Sequence, residues 1–205
     1  MTEKKLLIAT TNQGKAREIK EYLACLPLKT LSLKEINTKA IFLEKGKTFI
    51  NNARGKSAFY SQQYQILTLG EDSGLEIDYL KGAPGIFSSR FSGIHATDEK
   101  NIKKVLKLMK DVPFDKRKAQ FVSCMVVTDK GKTIKEIKEK VNGFITFEKK
   151  GTHGFGYDPI FFYAPLNKTF AELSPEEKNR VSHRGRALNK LKAFLILYLG
   201  LEEKK

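Results

Sequence analysis

Apolar residues recur along this chain at two spacings, every second position and every third or fourth. Leu6 to Ala9 form a short unbroken apolar run, the pattern of a buried strand. The spacing then changes: Ala16, Ile19, Leu23 and Leu26 share one stripe of a helix expected from Gly14 to Leu26, which Pro27 ends. A second helix is expected from about Thr48 to Tyr64, with Phe49 and Ala53 turned into the core. Ile66 to Leu69 reads as a strand running into a turn at Glu71-Asp72-Ser73-Gly74.

Thr97 or Asp98 caps a third helix whose inner stripe is Ile102, Val105, Leu106 and Met109, with Pro113 beyond it. Ala119 to Thr128 reads as a strand, followed by a turn at Asp129-Lys130-Gly131. After that turn Ile134, Ile137 and Val141 have helical spacing, but a hairpin partner is expected there, and the reading adopted is a solvent-edge strand. A last helix runs from about Arg184 to Leu199, with Ala187, Leu188, Leu191, Phe194, Leu195 and Tyr198 as its apolar face and Gly200 as its stop. Early alternation of strands and helices with a long central hairpin predicts a mixed-sheet α/β protein. No repeat or linker marks a boundary, so residues 1–205 are expected to form one domain.

Composition changes this picture little. The 205 residues are 40% apolar and 30% charged, ordinary for a soluble globular chain. No apolar run approaches the roughly 20 residues that span a bilayer. The apolar core of the N-terminus is too short for a signal peptide. Cys25 and Cys124 lack the spacing of a zinc site or a disulfide framework, so a cytosolic protein is expected. The net charge of +15 admits a nucleic-acid-binding reading. The lysines, however, concentrate in 100–118 and 130–150, segments that also carry acids and apolar periodicity, as solvated faces do. A positive field would equally capture a small polyanion.

Four segments carry candidate chemistry. Thr10-Thr11-Asn12-Gln13-Gly14-Lys15 joins a strand to a helix N-terminus, which binds anions through its unpaired N–H groups. It lacks the Walker pattern, and it is equally a plain capped helix. Glu71 and Asp72 at a strand end offer hard oxygens suited to Mg²⁺, or form an acidic turn. Asn52 and Lys56 share a helix face, and Glu44 precedes that helix. Lys178 with Ser182-His183-Arg184 opens the last helix, where Ser182 can cap and Arg184 offers a planar fork of donors. The run Gly151 to Phe162, GTHGFGYDPIFF, adds glycines that admit a close ligand, aromatic faces for a flat one, and a return to a buried strand.

With these pieces in order, the chain resembles the inosine triphosphate pyrophosphatase family, the dITP/XTP pyrophosphatases. The resemblance spans nearly the whole length through ATTNQGK, EKGKTFINNA, EDSGLEIDYLKGAPGIFSSRFSG, GFGYDPIFF and FAELSPEEKNRVSHRGRAL. It implies an α/β fold with an elongated mixed β-sheet flanked by helices, in two lobes with the active-site cleft between them. It implies Mg²⁺-dependent hydrolysis of purine nucleoside triphosphates with hypoxanthine or xanthine bases, giving monophosphate and pyrophosphate. It also implies a cytoplasmic homodimer, with no membrane and no specific nucleic acid as partner.

By that resemblance Asp72 matches the catalytic acidic position and Glu44 a metal ligand, with Asp72 and Glu71 also near the metal. Thr10, Asn12 and Lys15 match the phosphate turn, and Phe155, Gly156, Tyr157 and Asp158 the base loop. Lys178, His183 and Arg184 match further substrate contacts, with Ser73, Lys56 and Arg90 in well-matched segments. Two positions depart from the pattern: Asn51 stands where relatives often carry Glu, and Glu71 where many carry Asp.

Overall fold

The structure, a computed structural model, describes residues 4–200. It divides into two compact units, each gathered from separate stretches of the chain. The first takes the chain up to Asp72, then Cys124–Lys138 and the residues from Ala187 onward; the second takes Ser73–Ser123 and Glu139–Arg186. No composition shift marks these boundaries, because three of the four crossings fall inside continuous strands and the fourth inside a helix.

In the first unit β1 (Lys5–Ala9) pairs in parallel with β2 (Lys29–Ser32) after α1 (Gln13–Leu23). It also pairs in parallel with β3 (Leu67–Ile77), which follows α2 (Phe49–Tyr64), in the register Ala9 opposite Gly70. The unbroken apolar run of β1 is explained by burial on both sides. Leu6 and Ile8 pack with Ile19 and Leu23 of α1 and with Leu188, Leu191 and Leu195 of α5 (His183–Tyr198). Leu7 and Ala9 pack instead with Leu33 and with Tyr60 of α2.

Helix α2 has no acid in its first turn and no base in its last, so the macrodipole gains nothing from charge. It is held by the Thr48 side chain, which accepts from Asn51 N, and by direct seating on β3. A Cβ added to Gly70 would lie 2.1 Å from the Ala53 carbonyl, so only glycine lets this helix approach so closely. That approach sets where Asn52 and Lys56 stand.

The second unit is built on α3 (Asp98–Leu108), β6 (Phe161–Tyr163), β7 (Lys168–Thr169) and α4 (Pro175–Val181), with parts of β3, β4 (Lys118–Asp129) and β5 (Lys132–Ile145). Its core joins Leu75 and Ile77 to Ile102, Val105 and Met109, with Phe121 stacked on Phe170 and Phe161 tilted against both. Arg117, only 1% exposed, acts as a staple. It donates to the carbonyls of Ile145 (2.6 Å), Thr146 (2.7 Å) and Val112 (3.2 Å), and also to that of Met109. The seven strands form one mixed sheet in the order β2-β1-β3-β4-β5-β6-β7.

Four expectations change. Glu71-Asp72-Ser73-Gly74 is not a turn but the middle of β3, a strand that runs unbroken from Leu67 to Ile77 and whose apolar alternation resumes at Leu75 and Ile77. The segment after the Asp129–Gly131 turn is a strand, as expected, but it lies between β4 and β6 and not at the edge. Helix α1 ends at Leu23, three residues short of Leu26. Tyr198 is 43% exposed and donates from its hydroxyl to Asp129, so it lies outside the core. Among the described residues no helix is long and apolar enough to cross a membrane.

Candidate active site

The expected residues lie in two polar clusters, one in each unit, each built around buried side chains. In the first, Asn12 caps α1 by accepting from Lys15 N at 3.0 Å, and its own N–H donates to the buried Thr10 hydroxyl at 3.2 Å. Capping leaves the side chain of Lys15 directed across to β3, where its ammonium meets Glu71 Oε2 at 2.8 Å. Strand alternation sends Glu71 and Asp72 to opposite sides of β3. Glu71, with Leu67 and Leu69, faces α1; Asp72, with Gly70, faces α2.

On the α2 side Asn52 Nδ2 donates to Asp72 Oδ2 at 3.0 Å, while Asn52 Oδ1 accepts from Gly46 N at 2.9 Å. Lys56 Nζ stands 2.7 Å from Glu44 Oε1 and 3.9 Å from Asp72 Oδ1. Burial pushes the Asp72 carboxyl above its ordinary value, and Glu71 adds to this. Lys56, Lys15 and the Asn52 hydrogen bond pull the other way without overcoming it. The result is a carboxylate made more basic than usual, oriented by an amide and surrounded by two lysines.

In the second unit Asp158 and Lys178 form a buried ion pair at 2.6 Å, and Asp158 Oδ2 also accepts from Phe155 N at 2.9 Å. Gly154 makes this possible: its φ is +77°, and a Cβ there would fall 2.2 Å from Asp158 Oδ2. The Phe155 ring lies 5.0 Å from Lys178 Nζ and 5.3 Å from the Arg184 guanidinium carbon, within cation–π range. Arg184 Nη2 donates to Ser73 Oγ at 2.9 Å. His183 is buried, its ring stacked on Phe121 at 4.6 Å and 9°. The Ser182 hydroxyl accepts from Gly185 N and caps α5 as expected, so the two basic residues at this helix start are held inside and not splayed into solvent.

The expected residues therefore gather as two sets. Thr10, Asn12, Lys15, Glu44, Lys56, Glu71 and Asp72 belong to the first; Ser73, Phe155, Asp158, Lys178, His183 and Arg184 belong to the second. Asp72 and Ser73 are consecutive residues of β3, so one strand carries a member of each. The other three expected residues have partners of their own. Tyr157 is buried, and its hydroxyl donates to the Ser88 carbonyl at 2.7 Å. Gly156 is bound through its N–H to Asp98 at 2.7 Å. Arg90 is exposed, with its guanidinium 5.3 Å from the Phe87 ring. Asn51 is also exposed, its side chain accepting from Arg54, so a Glu there would point toward solvent in this arrangement.

Sequence reasoning missed Asn52 as the direct partner of Asp72. Its shared helix face with Lys56 was the available signal. It also missed Asp98 and Ser88 as supports of the 155–158 loop, for which spacing gives no signal because the partners lie 58 and 69 positions away.

A divalent cation can be tested against these groups. Among the described residues no three His, Cys, Asp or Glu side chains form a metal-binding group. Glu44 and Asp72 nevertheless bracket one cation already, the Lys56 ammonium. Two hard carboxylates are what Mg²⁺ takes from a protein when substrate phosphates complete its shell. The donor set fits that mode and not an all-protein cage.

The profile of the Ham1 family matches residues 6–194. A dITP/XTP pyrophosphatase of Clostridium perfringens is 45% identical over 92% of this chain and 96% of its own length. That of Caldanaerobacter subterraneus is 41% identical over 94% of this chain and 96% of its own. Among solved structures, the Staphylococcus aureus Ham1 protein superposes with a TM-score of 0.86 at 37% identity, covering 95% of this chain and all (100%) of that one. A Ham1 protein from Coxiella burnetii gives 0.86 at 36% identity, covering 95% and 99%.

Proposed function

The chain belongs to the Ham1 family, and from that premise we propose that it hydrolyses non-standard purine nucleoside triphosphates, dITP, ITP and XTP, to the monophosphate and pyrophosphate. The observation that carries the reading is the division of chemistry across Asp72 and Ser73. A basic carboxylate among lysines suits a triphosphate, and a phenyl ring beside paired cations suits a flat base with carbonyl edges.

The triphosphate tail meets the α1 N-terminus, Lys15 and Lys56, whose charges offset those of the phosphates. Asp72 Oδ2 is held by Asn52, and Oδ1 faces the lysine side of the cluster. A water oxygen attacks the α-phosphorus, its proton passes to Asp72, and the bond from the α-phosphorus to the bridging oxygen breaks with departure of pyrophosphate. Glu44 and Asp72 are the residues that would hold Mg²⁺, which when bound supplies charge neutralisation at phosphate oxygens. Glu71, paired with Lys15 on the other side of β3, supports the lysine.

Phe155 stacks on the base, and Lys178, Arg184 and His183 read its edge, with Asp158 holding Lys178 in place. A donor aimed at a 6-keto oxygen confronts the 6-amino group of adenine with another donor. Leaving buried polar groups unpaired in this way rejects the wrong partner by about 10⁴-fold or more. A cytoplasmic homodimer completes the proposal, and light scattering on the purified protein measures the assembly.

The test is product analysis with dITP, XTP, ITP, dATP and dGTP, with Mg²⁺ and with EDTA. Pyrophosphate and monophosphate from the first three, lost with EDTA, are expected. Release of orthophosphate, or equal rates with dATP, would sink the reading. So would salt-sensitive binding of polynucleotides with no turnover.

A further inference from the structure

We propose that Asp98 is a positioning residue for base selection: its carboxylate latches the Gly156 N–H and thereby holds the Phe155–Gly156 peptide of the base-reading loop in place. The inference rests on the assignment of that loop to the base. Asp98 is the first residue of α3, yet the helix is not capped by it. The preceding Thr97 does that, its hydroxyl accepting from Lys100 N at 3.2 Å. The Asp98 carboxylate instead reaches out of the helix and accepts from Gly156 N at 2.7 Å, the short distance of a charge-assisted bond.

Its effect is on Phe155. The N–H of Phe155 goes to Asp158 Oδ2 at 2.9 Å, and the next N–H, that of Gly156, goes to Asp98. Two successive amides are thus held by two carboxylates, one inside the loop and one from a helix 58 positions earlier. Gly156 has φ +63°, and nothing lies within 4 Å of the place its Cβ would take, so no neighbour packs on that side of the glycine. The latch holds this peptide. With both amides fixed, the ring is kept against Lys178 and Arg184.

The same turn of α3 braces the next residue. Tyr157 donates to the Ser88 carbonyl, and the buried Asn101 donates to that carbonyl at 3.3 Å and to Ser89 O at 3.2 Å. Asn101 also accepts from Ser92 N at 2.8 Å. The first turn of α3 is therefore the frame against which the loop is set, and Asp98 is its direct hold on the backbone.

The test compares wild type with Asp98→Ala, Asp98→Asn and Glu99→Ala. Amide exchange at Gly156 is followed in the protein alone; kcat and KM are followed for dITP and dGTP. In Asp98→Ala we expect faster Gly156 exchange and a KM for dITP raised about five- to tenfold, with kcat within about twofold. Selectivity for dITP over dGTP falls by a similar factor. Asp98→Asn, which keeps an acceptor oxygen, restores most of both. Glu99→Ala, which removes a charge at the same helix end without touching Gly156, behaves as wild type. Wild-type exchange at Gly156 in Asp98→Ala overturns the latch. Faster exchange with unchanged KM and selectivity overturns its role in base selection, and so does a Glu99→Ala variant that copies Asp98→Ala. A wild type that leaves dITP intact rejects the reaction itself, while the exchange comparison still decides the latch.

Discussion

Replacing Asp72 with Asn is the most discriminating perturbation of the acidic cluster, because activity and stability are expected to move apart. The amide is nearly isosteric and its oxygen can still accept from Asn52 Nδ2, the 3.0 Å bond that orients the side chain. What disappears is a proton acceptor, and general-base catalysis is worth about 10²- to 10⁴-fold, or about 3–5.5 kcal/mol of barrier. Stability follows the opposite rule. The carboxyl is raised above its ordinary value, burial being the largest cause, so the folded protein disfavours the ionised form. For a group raised on folding, stability is fully present below the unfolded value and is lost as pH rises through the folded one. At neutral pH the wild type therefore carries a penalty that Asn lacks. Asp72→Asn is expected to keep or raise the midpoint of urea unfolding at pH 7, with the difference shrinking toward acid pH. Initial rates of pyrophosphate release and unfolding curves at several pH values measure both. Retained turnover would remove Asp72 from catalysis. A large loss of stability at pH 7 would show that the lysines, not burial, dominate the site.

Three other outcomes follow from the packing. Lys178→Met strands the Asp158 carboxylate, 3% exposed, and is expected to destabilise by about 3–5 kcal/mol in urea; adding Asp158→Asn should recover much of that, and no recovery would contradict the ion-pair account. Arg117→Lys cannot span the four carbonyls that the guanidinium reaches, so unfolding free energy should fall by about 2–4 kcal/mol, and a neutral result would refute the staple. Gly70→Ala forces a methyl to within 2.1 Å of the Ala53 carbonyl, so α2 must lift from β3. We expect a loss of about 1–3 kcal/mol together with lower kcat, since Asn52 and Lys56 move with the helix; unchanged kinetics would detach the seating of α2 from the site.

Some of the candidate site residues were legible in the sequence because a local rule sets them, while the roles of the others rested on the family resemblance. Asn12 caps α1 since a short polar side chain before an amphipathic stripe satisfies an orphan N–H. Lys56 joins Asn52 because a four-residue step returns to the same helix face. Ser182 announces α5 in the same way. The long hairpin was legible for its turn, although its place inside the sheet was not.

Local rules failed where distant backbone decided the outcome. Asp-Ser-Gly has turn chemistry, yet it lies inside a continuous strand, whose alternation sends Glu71 and Asp72 to opposite sides. The burial of His183 and Arg184 depended on Phe121, Phe155 and Ser73, none of them near in sequence. The limits of the two units were illegible because they cut through strands and a helix and not through linkers. The sequence by itself determined which chemical groups are present and which short segments present them. Only the tertiary structure decided which carboxylate is buried enough to become basic, which lysine each acid meets, and which helix holds the loop. Hydrogen bonds, ion pairs and desolvation act over a few ångströms of space, whatever the distance along the chain.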